Sequence, residues 1–207
     1  MIDVYTAATS NGLRAAIVLA ESGLKHTVHK IDLEKGEAKT PEFRKMNPAA
    51  QIPVLVDRDA VGGPLTLTES AAILIYVAEK SGKLLPAEVH ARAHVFEAIA
   101  NAMTDVYAPY NGLFHLGDHG IEPPKEIVAG FDGMIRGALA RIDAKLARSE
   151  WLVGDFSIAD IALYPTFTRL ESAVKRTYPD LKNLQRWAKA MAARPGVKLG
   201  FSLAGRP

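Results

Sequence analysis

The order of strand-like and helix-like segments in the first 80 residues constrains the fold of this chain more than any other feature of its sequence. Apolar residues recur there with two periods, that of half-buried strands and that of amphipathic helices. The predicted strands are residues 2–6, 27–32, 54–57 and 64–67. The predicted helices are residues 11–22, 41–47 and 69–80. The first 80 residues therefore follow the order β-α-β-α-β-β-α.

The connections between these segments predict the topology of one sheet. A helix joins the first two strands, so that pair runs parallel. Gly62 and Gly63 indicate a hairpin between the last two strands, which therefore run antiparallel. We predict an α/β fold with a mixed four-stranded, thioredoxin-like sheet for residues 1–80.

Beyond residue 80 the pattern becomes helical. Gly and Pro at 81–88 indicate a linker, and only helical periodicity follows it. The candidate helices are residues 88–116, 124–148, 157–172 and 181–194. Residues 89–207 are therefore predicted to form an all-α, helical-bundle domain.

The composition excludes several kinds of chemistry. The chain has no cysteine, so it forms no disulfide and no thiolate metal site, and any sulfur chemistry must use a thiol supplied by a ligand. Its 25 Lys and Arg nearly balance 23 Asp and Glu, which does not favour a nucleic-acid partner. With neither a long apolar run nor an apolar leader, the sequence predicts a cytoplasmic protein without a membrane partner.

Three short motifs follow these elements in a specific order. Residues 51–55 (QIPVL) precede the third strand, residues 68–70 (TES) begin the third helix, and residues 157–160 (SIAD) lie in the helical half. With this arrangement the chain resembles the cytosolic glutathione transferases over essentially its whole length. Residues 9–12 (TSNG) are most similar to the bacterial Nu-class branch, whose members also resemble disulfide-bond reductases.

The resemblance implies that the N-terminal half binds glutathione as co-substrate. A cis bond before Pro53 would turn the N–H and C=O of Ile52 toward the cysteinyl backbone of the tripeptide, although the residues alone favour a trans bond. Lys39 and Gln51 would meet the glycyl carboxylate. Lys39 can equally be a solvated lysine of a polar stretch.

Residues 68–70 admit two interpretations. A helix N-terminus offers unpaired N–H groups and the positive end of a dipole, so Ser70 would hold the γ-glutamyl carboxylate through its N–H and hydroxyl. Glu69 would pair with the γ-glutamyl ammonium. In the alternative interpretation Thr68 and Glu69 only cap the helix.

Residues 9–11 lie where the N-terminus of the first helix points, and the resemblance assigns them the activation of the glutathione thiol. Asn11, through its amide, and Thr9, through its hydroxyl, would donate hydrogen bonds to the thiolate. Ser10 is the third candidate, because it takes the place of cysteine in the related Beta class. Asn11 is also a candidate N-cap of the helix. Tyr5, inside the first strand, is expected to pack rather than to act on the thiol.

Four residues of the helical half are candidates for the side of the second substrate or partner. Asn101, Asp105 and Tyr107 fall on the first long helix, the wall that faces the thiol in this family. An arginine of the helical half completes the site in Nu-like members; this chain has Gly130 near that position, so the contact is either absent or supplied by Arg136. Ser157 and Asp160 form a capping-box-like pair, for which we expect a role in folding.

The six histidines do not predict a metal site. His90 with His94 and His115 with His119 have the spacing of neighbours on one helix face. Zinc would need further ligands, and neither cysteine nor an HExxH motif supplies them. We therefore expect solvated helices and no metal.

The expected function is that of a glutathione transferase whose bound thiolate attacks a small electrophilic carbon or a disulfide. Thr9 together with Asn11 favours a Nu-like enzyme with glutathione-dependent disulfide reductase activity. The alternative is a catalytically silent member of the fold that binds a ligand or a protein. The resemblance also implies a homodimer.

Overall fold

The computed structural model describes residues 1–118 and 122–205 and divides them into two compact units. The first unit comprises residues 1–84 together with the residues from 193 onward. The second unit comprises residues 85–192. The boundary between them lies within the segment 81–88 that the composition marks as a linker.

Four short strands form the sheet of the first unit. They are β1 (Ile2–Thr6), β2 (His26–Lys30), β3 (Val54–Asp57) and β4 (Leu65–Leu67). Their order in the sheet is β2-β1-β3-β4; β1 is parallel to β2, and β3 is antiparallel to both β1 and β4. The central residue Val4 lies opposite Val28 on one side and Leu55 on the other. The predicted mixed four-stranded topology is confirmed.

The helices of the first unit begin and end close to their predicted limits. They are α1 (Ser10–Ser22), α2 (Pro41–Met46) and α3 (Ser70–Ser81), with a single 3-10 turn at Glu37–Lys39 before α2. Helix α1 is almost entirely buried, and its apolar residues from Leu13 to Leu19 have no exposed surface. Gly23, in the left-handed conformation, ends α1 as the sequence predicts.

A further helix, α9 (Pro195–Leu203), was absent from the sequence prediction and belongs to the first unit. A Cβ on Gly200 would lie 2.7 Å from the Cα of Ile17, so the two helix backbones touch. Arg194 donates two hydrogen bonds to the carboxylate of Glu21, at 3.0 and 2.8 Å. The predicted helical domain, residues 89–207, therefore includes a C-terminal segment that belongs to the sheet-containing unit.

Five α-helices lie in the described residues of the second unit. They are α4 (Val89–Asn101), α5 (Ala108–Asp118), α6 (Lys125–Leu146), α7 (Ile158–Val174) and α8 (Lys182–Ala193). The predicted helix 88–116 is divided, because a π-helical segment, Ala102–Tyr107, joins α4 to α5. None of the helices in the described ranges is long and apolar enough to cross a bilayer.

The N-terminus of α7 is organised around a buried carboxylate. Asp160 has no exposed surface and accepts hydrogen bonds from the backbone N–H of Ser157 (3.0 Å), the N–H of Leu152 (3.0 Å) and Nε1 of Trp187 (2.8 Å). The Ser157 hydroxyl accepts from Ala159 N–H, which completes a capping box. Burial raises the pKa of Asp160, against the effect of its N–H donors. The predicted folding role is consistent with this packing.

Candidate active site

Thr9 caps helix α1 and keeps a proton to donate. Its Oγ1 accepts a hydrogen bond from Gly12 N–H at 3.1 Å, so Thr9, and not Asn11, is the N-cap residue. The chain passes so close to itself here that a Cβ on Gly12 would lie 2.1 Å from the carbonyl oxygen of Ala7. The Thr9 hydroxyl is the acceptor in this capping hydrogen bond, so its own proton can still be donated to a ligand.

The side chains of Ser10 and Tyr5 pack against other residues of the first unit. Ser10 is 2% exposed, and its enclosed hydroxyl has no hydrogen-bond partner within the described residues. A ligand sulfur therefore cannot contact this hydroxyl in the conformation observed. Tyr5 stacks on His29 with ring centroids 4.5 Å apart and meets Phe43 edge-on, which agrees with the packing role expected for it.

A side-chain cluster joins the N-terminus of α1 to the N-terminus of α3. The hydroxyl of Ser70 donates to Oδ1 of Asn11 at 3.3 Å across a sequence separation of 59 residues. Nη1 of Arg14 donates to the same oxygen and lies 3.5 Å from the Ser70 hydroxyl. Two of the predicted site motifs therefore meet in space.

Arg14 was missed by the sequence analysis. It has no exposed surface, although it lies in an otherwise apolar stretch of α1. A lone charged residue on the buried face of a helix is the signal that could have identified it, because a buried charge needs partners. We refer to Asn11, Arg14 and Ser70 as the Asn11 cluster.

The start of α3 offers backbone donors rather than a capped end. Glu69 occupies the N-cap position, but its exposed side chain makes no capping hydrogen bond, so the capping interpretation does not describe it. Ser70 is 4% exposed and its single hydroxyl proton goes to Asn11. What Ser70 offers an anion here is its backbone N–H, at the positive end of the helix dipole. The sequence predicts that the Ser70 hydroxyl binds the same carboxylate, but its proton is already donated to Asn11.

The loop before β3 presents backbone. The Ile52–Pro53 bond is cis, and the Ile52 side chain is buried in a cluster with Phe43 and Val54. Only the N–H and C=O of Ile52 are therefore suited to a ligand. Asn47, a second residue that the sequence analysis missed, is 5% exposed and donates through Nδ2 to the carbonyl of Gln51 at 2.7 Å. The Asn-Pro pair at 47–48 is the turn signal that could have identified it.

The two candidates for the glycyl carboxylate are exposed. Lys39 ends the 3-10 turn, where its carbonyl accepts from Nε of Arg44 at 3.2 Å. Gln51 directly precedes the cis bond and has an exposed side chain. Their exposure permits contact with a ligand.

The charged candidates of the second unit have local partners. Arg136 pairs with Asp180 through its two terminal nitrogens, at 3.4 and 2.5 Å, and this guanidinium lowers the pKa of the Asp180 carboxyl. Asp105 accepts from Nη2 of Arg141 at 2.9 Å and from the hydroxyl of Thr104 at 2.8 Å. Both ion pairs are exposed to solvent.

The neutral candidates of the second unit lie around the π-helical segment. Tyr107 is its last residue and donates through its hydroxyl to Oδ1 of Asn111 at 3.4 Å. Asn101 is the last residue of α4 and is half-buried.

Among residues 1–118 and 122–205, no group of three or more His, Asp or Glu side chains could hold a metal ion. His94 contacts Glu97 at 3.2 Å on the exposed face of α4. His119 lies outside the described residues.

Two family models match most of the chain. The model of the glutathione S-transferase N-terminal domain matches residues 10–80, and that of the C-terminal domain matches residues 98–195. The disulfide-bond oxidoreductase YfcG of Escherichia coli is 34% identical over 208 residues, which cover 95% of this chain and 93% of that protein.

Solved structures of bacterial glutathione transferases superpose closely on the chain. A Pseudomonas putida enzyme with one glutathione disulfide bound per subunit has a TM-score of 0.90 at 27% identity, covering 99% of this chain and 92% of its own. A Pseudomonas fluorescens family member with two glutathione molecules bound has a TM-score of 0.89 at 29% identity, covering 96% and 91%.

Proposed function

We propose that this chain, which belongs to the glutathione S-transferase family, is an enzyme. It binds glutathione on its first unit and ionises the thiol for attack on a second substrate. The hydrogen bond between Asn11 and Ser70 carries the proposal. It brings together two helix N-termini, each a site for negative charge. Of the three negative groups of ionised glutathione, the thiolate and the γ-glutamyl carboxylate are the two that these helix N-termini would hold.

Each part of the tripeptide has a complementary group in the first unit. The Ser70 N–H at the start of α3 binds the γ-glutamyl carboxylate, and the exposed Glu69 pairs with the neighbouring ammonium. The backbone of Ile52 pairs with the cysteinyl residue as a short added strand. Lys39 and Gln51 contact the glycyl carboxylate.

Thr9 and Asn11 supply the energy of thiol activation. A free thiol has a pKa of about 8.5, and lowering it to about 6.5 requires about 2.7 kcal/mol, at about 1.36 kcal/mol per unit. Hydrogen bonds to a charged acceptor contribute about 1.5–3 kcal/mol each, and a helix N-terminus about 0.3–1 kcal/mol. Two donors at the start of α1 therefore suffice.

The reaction we favour is the reduction of a disulfide. The bound thiolate attacks one sulfur of the substrate, forming a mixed disulfide with glutathione and releasing the other half as a thiolate that takes up a proton. A second glutathione thiolate then attacks the mixed disulfide, so glutathione disulfide and a second substrate thiol are produced. Because the chain has no cysteine, glutathione supplies both electrons. The name of YfcG and the disulfide bound to the Pseudomonas putida enzyme support this direction.

The proposal also covers the cellular context and the electrophile side. A cytoplasmic homodimer is the form that the family implies. Asn101, Asp105 and Tyr107 remain our candidates for contact with the second substrate. Arg136 is the weaker candidate, because binding glutathione would require it to leave Asp180.

Three measurements on the purified protein test the function. Calorimetry with reduced and oxidised glutathione is expected to detect binding, and the ultraviolet absorbance of the bound thiolate is expected to titrate well below the pKa of the free thiol. Steady-state rates should be higher with a small dialkyl disulfide than with an aryl halide. Binding with an unshifted thiol pKa would indicate a catalytically silent member, and the absence of binding would refute the proposal.

A further inference from the structure

Arg14 carries a charged side chain that solvent does not reach. It has no exposed surface, and burying a guanidinium is unfavourable unless hydrogen bonds compensate for the lost water. Its position in α1 is one turn beyond Asn11, which is the spacing that brings two side chains together on a helix surface. Two of its contacts are to the Asn11 carboxamide oxygen and to the Ser70 hydroxyl.

The chemistry of these groups decides how the Asn11 amide is turned. A guanidinium has only donors, so the arm of the carboxamide that faces Arg14 must be the oxygen. The Ser70 hydroxyl proton is donated to the same oxygen. A rotated amide would set its NH2 group against the guanidinium, donor against donor, and would remove the oxygen that accepts both hydrogen bonds.

We propose that Arg14 is a positioning residue that locks the Asn11 carboxamide with its NH2 arm toward the glutathione thiol. The inference rests on the proposed function, in which that arm donates to the thiolate. Arg14 contacts the oxygen arm and acts on sulfur through Asn11, not by direct contact. Ser70 joins this lock to the start of α3, where the γ-glutamyl carboxylate binds.

A double-mutant cycle separates this role from a direct effect of the buried charge. In Arg14→Gln the new amide can donate or accept, so the orientation of Asn11 is no longer enforced, and the pKa of bound glutathione should rise by about one unit. In Arg14→Lys, which keeps a donor-only cation, the rise should be less than half as large. In the Asn11→Ala background, Arg14→Gln should cause no further rise, because its target is gone.

A matched control uses an arginine of the same unit that lies outside the cluster. Arg58 pairs with Asp3 at 2.8 Å and is mostly exposed. Arg58→Gln should leave the thiol pKa unchanged. If Arg14→Gln raises the pKa equally with and without Asn11, the charge acts directly and the positioning role is refuted.

A measurement on the unmodified protein keeps the proposal testable should Arg14→Gln not fold. Isotope-edited NMR of the complex with reduced glutathione should show the Asn11 NH2 protons close to the cysteinyl β-protons of the ligand. Proximity of these NH2 protons to the Arg14 guanidinium instead would overturn the inference. Wild-type protein that binds no glutathione would refute the proposed function itself, which separates the two failures.

Discussion

Thr9 combines a structural and a chemical task, and two substitutions separate them. Its oxygen accepts from Gly12 N–H to cap α1, while in our proposal its proton is donated to the thiolate. Thr9→Val removes both functions. Thr9→Asp keeps a good capping acceptor but has no proton to donate at neutral pH, and it adds a negative charge beside the sulfur.

The expected magnitudes follow from the two hydrogen bonds. Loss of an N-cap costs about 1 kcal/mol of stability. Loss of a charge-assisted donor costs about 1.5–3 kcal/mol, which corresponds to a rise of about 1–2 units in the pKa of the bound thiol. Thr9→Val should therefore show both effects. Thr9→Asp should keep the free energy of unfolding within about 0.5 kcal/mol and should raise the thiol pKa at least as much.

Urea denaturation gives the free energy of unfolding, and thiolate absorbance against pH gives the pKa of bound glutathione. Thr40 provides a matched control, because it caps α2 in the same way, accepting from Phe43 N–H at 3.3 Å. Thr40→Val should lose about 1 kcal/mol of stability without a change in the thiol pKa. An unchanged thiol pKa in Thr9→Asp would refute the assignment of the Thr9 hydroxyl as a donor.

Three further predictions concern stability. Asp160→Ala leaves three donors without their acceptor and should lower the free energy of unfolding, measured in urea, by about 3–6 kcal/mol. The affinity for glutathione should change little. The exposed control Asp155→Ala should have little effect on stability. Gly12→Ala places a methyl group 2.1 Å from a backbone oxygen and should abolish glutathione binding or folding in calorimetry and circular dichroism; unaltered binding would contradict the close approach. Burial raises the pKa of Asp57, but the hydrogen bonds from Lys80 and Tyr76 hold it below its usual value. The stabilising contribution of the ionised Asp57 is therefore complete above about pH 4 and is lost as the pH falls further. Asp57→Asn should lower the free energy of unfolding by about 2–4 kcal/mol at pH 7 and by progressively less in acid. An equal loss at all pH values would contradict the ion pair between Asp57 and Lys80.

The sheet was predictable because its information is local. Alternating side chains define each strand, and the helix between β1 and β2 or the hairpin after β3 fixes their direction. Helix α9 was not predictable in the same way, because its packing on α1 depends on Gly200 meeting Ile17 across most of the chain. The π-helical turn at Ala102–Tyr107 also leaves no periodic signal that separates it from the flanking helices.

In the site, the motifs could be recognised, but the division of labour among their atoms could not. Asn and Thr are both common N-cap residue types, and only the backbone conformation shows that Thr9, and not Asn11, takes that position. The sequence gives no indication that the Ser70 proton goes to Asn11 or that Arg14 is enclosed beside them. These facts depend on contacts between segments that are distant along the chain.

The return of α9 to the sheet-containing unit affects the order of events during synthesis. A nascent chain that has reached residue 84 holds all four strands but lacks the helix that covers Ile17. Translation at about 5–20 residues per second needs roughly 6–24 s to reach the end of α9. The sheet-containing unit therefore gains its last helix only after the helical unit has been synthesised, although its four strands are made first.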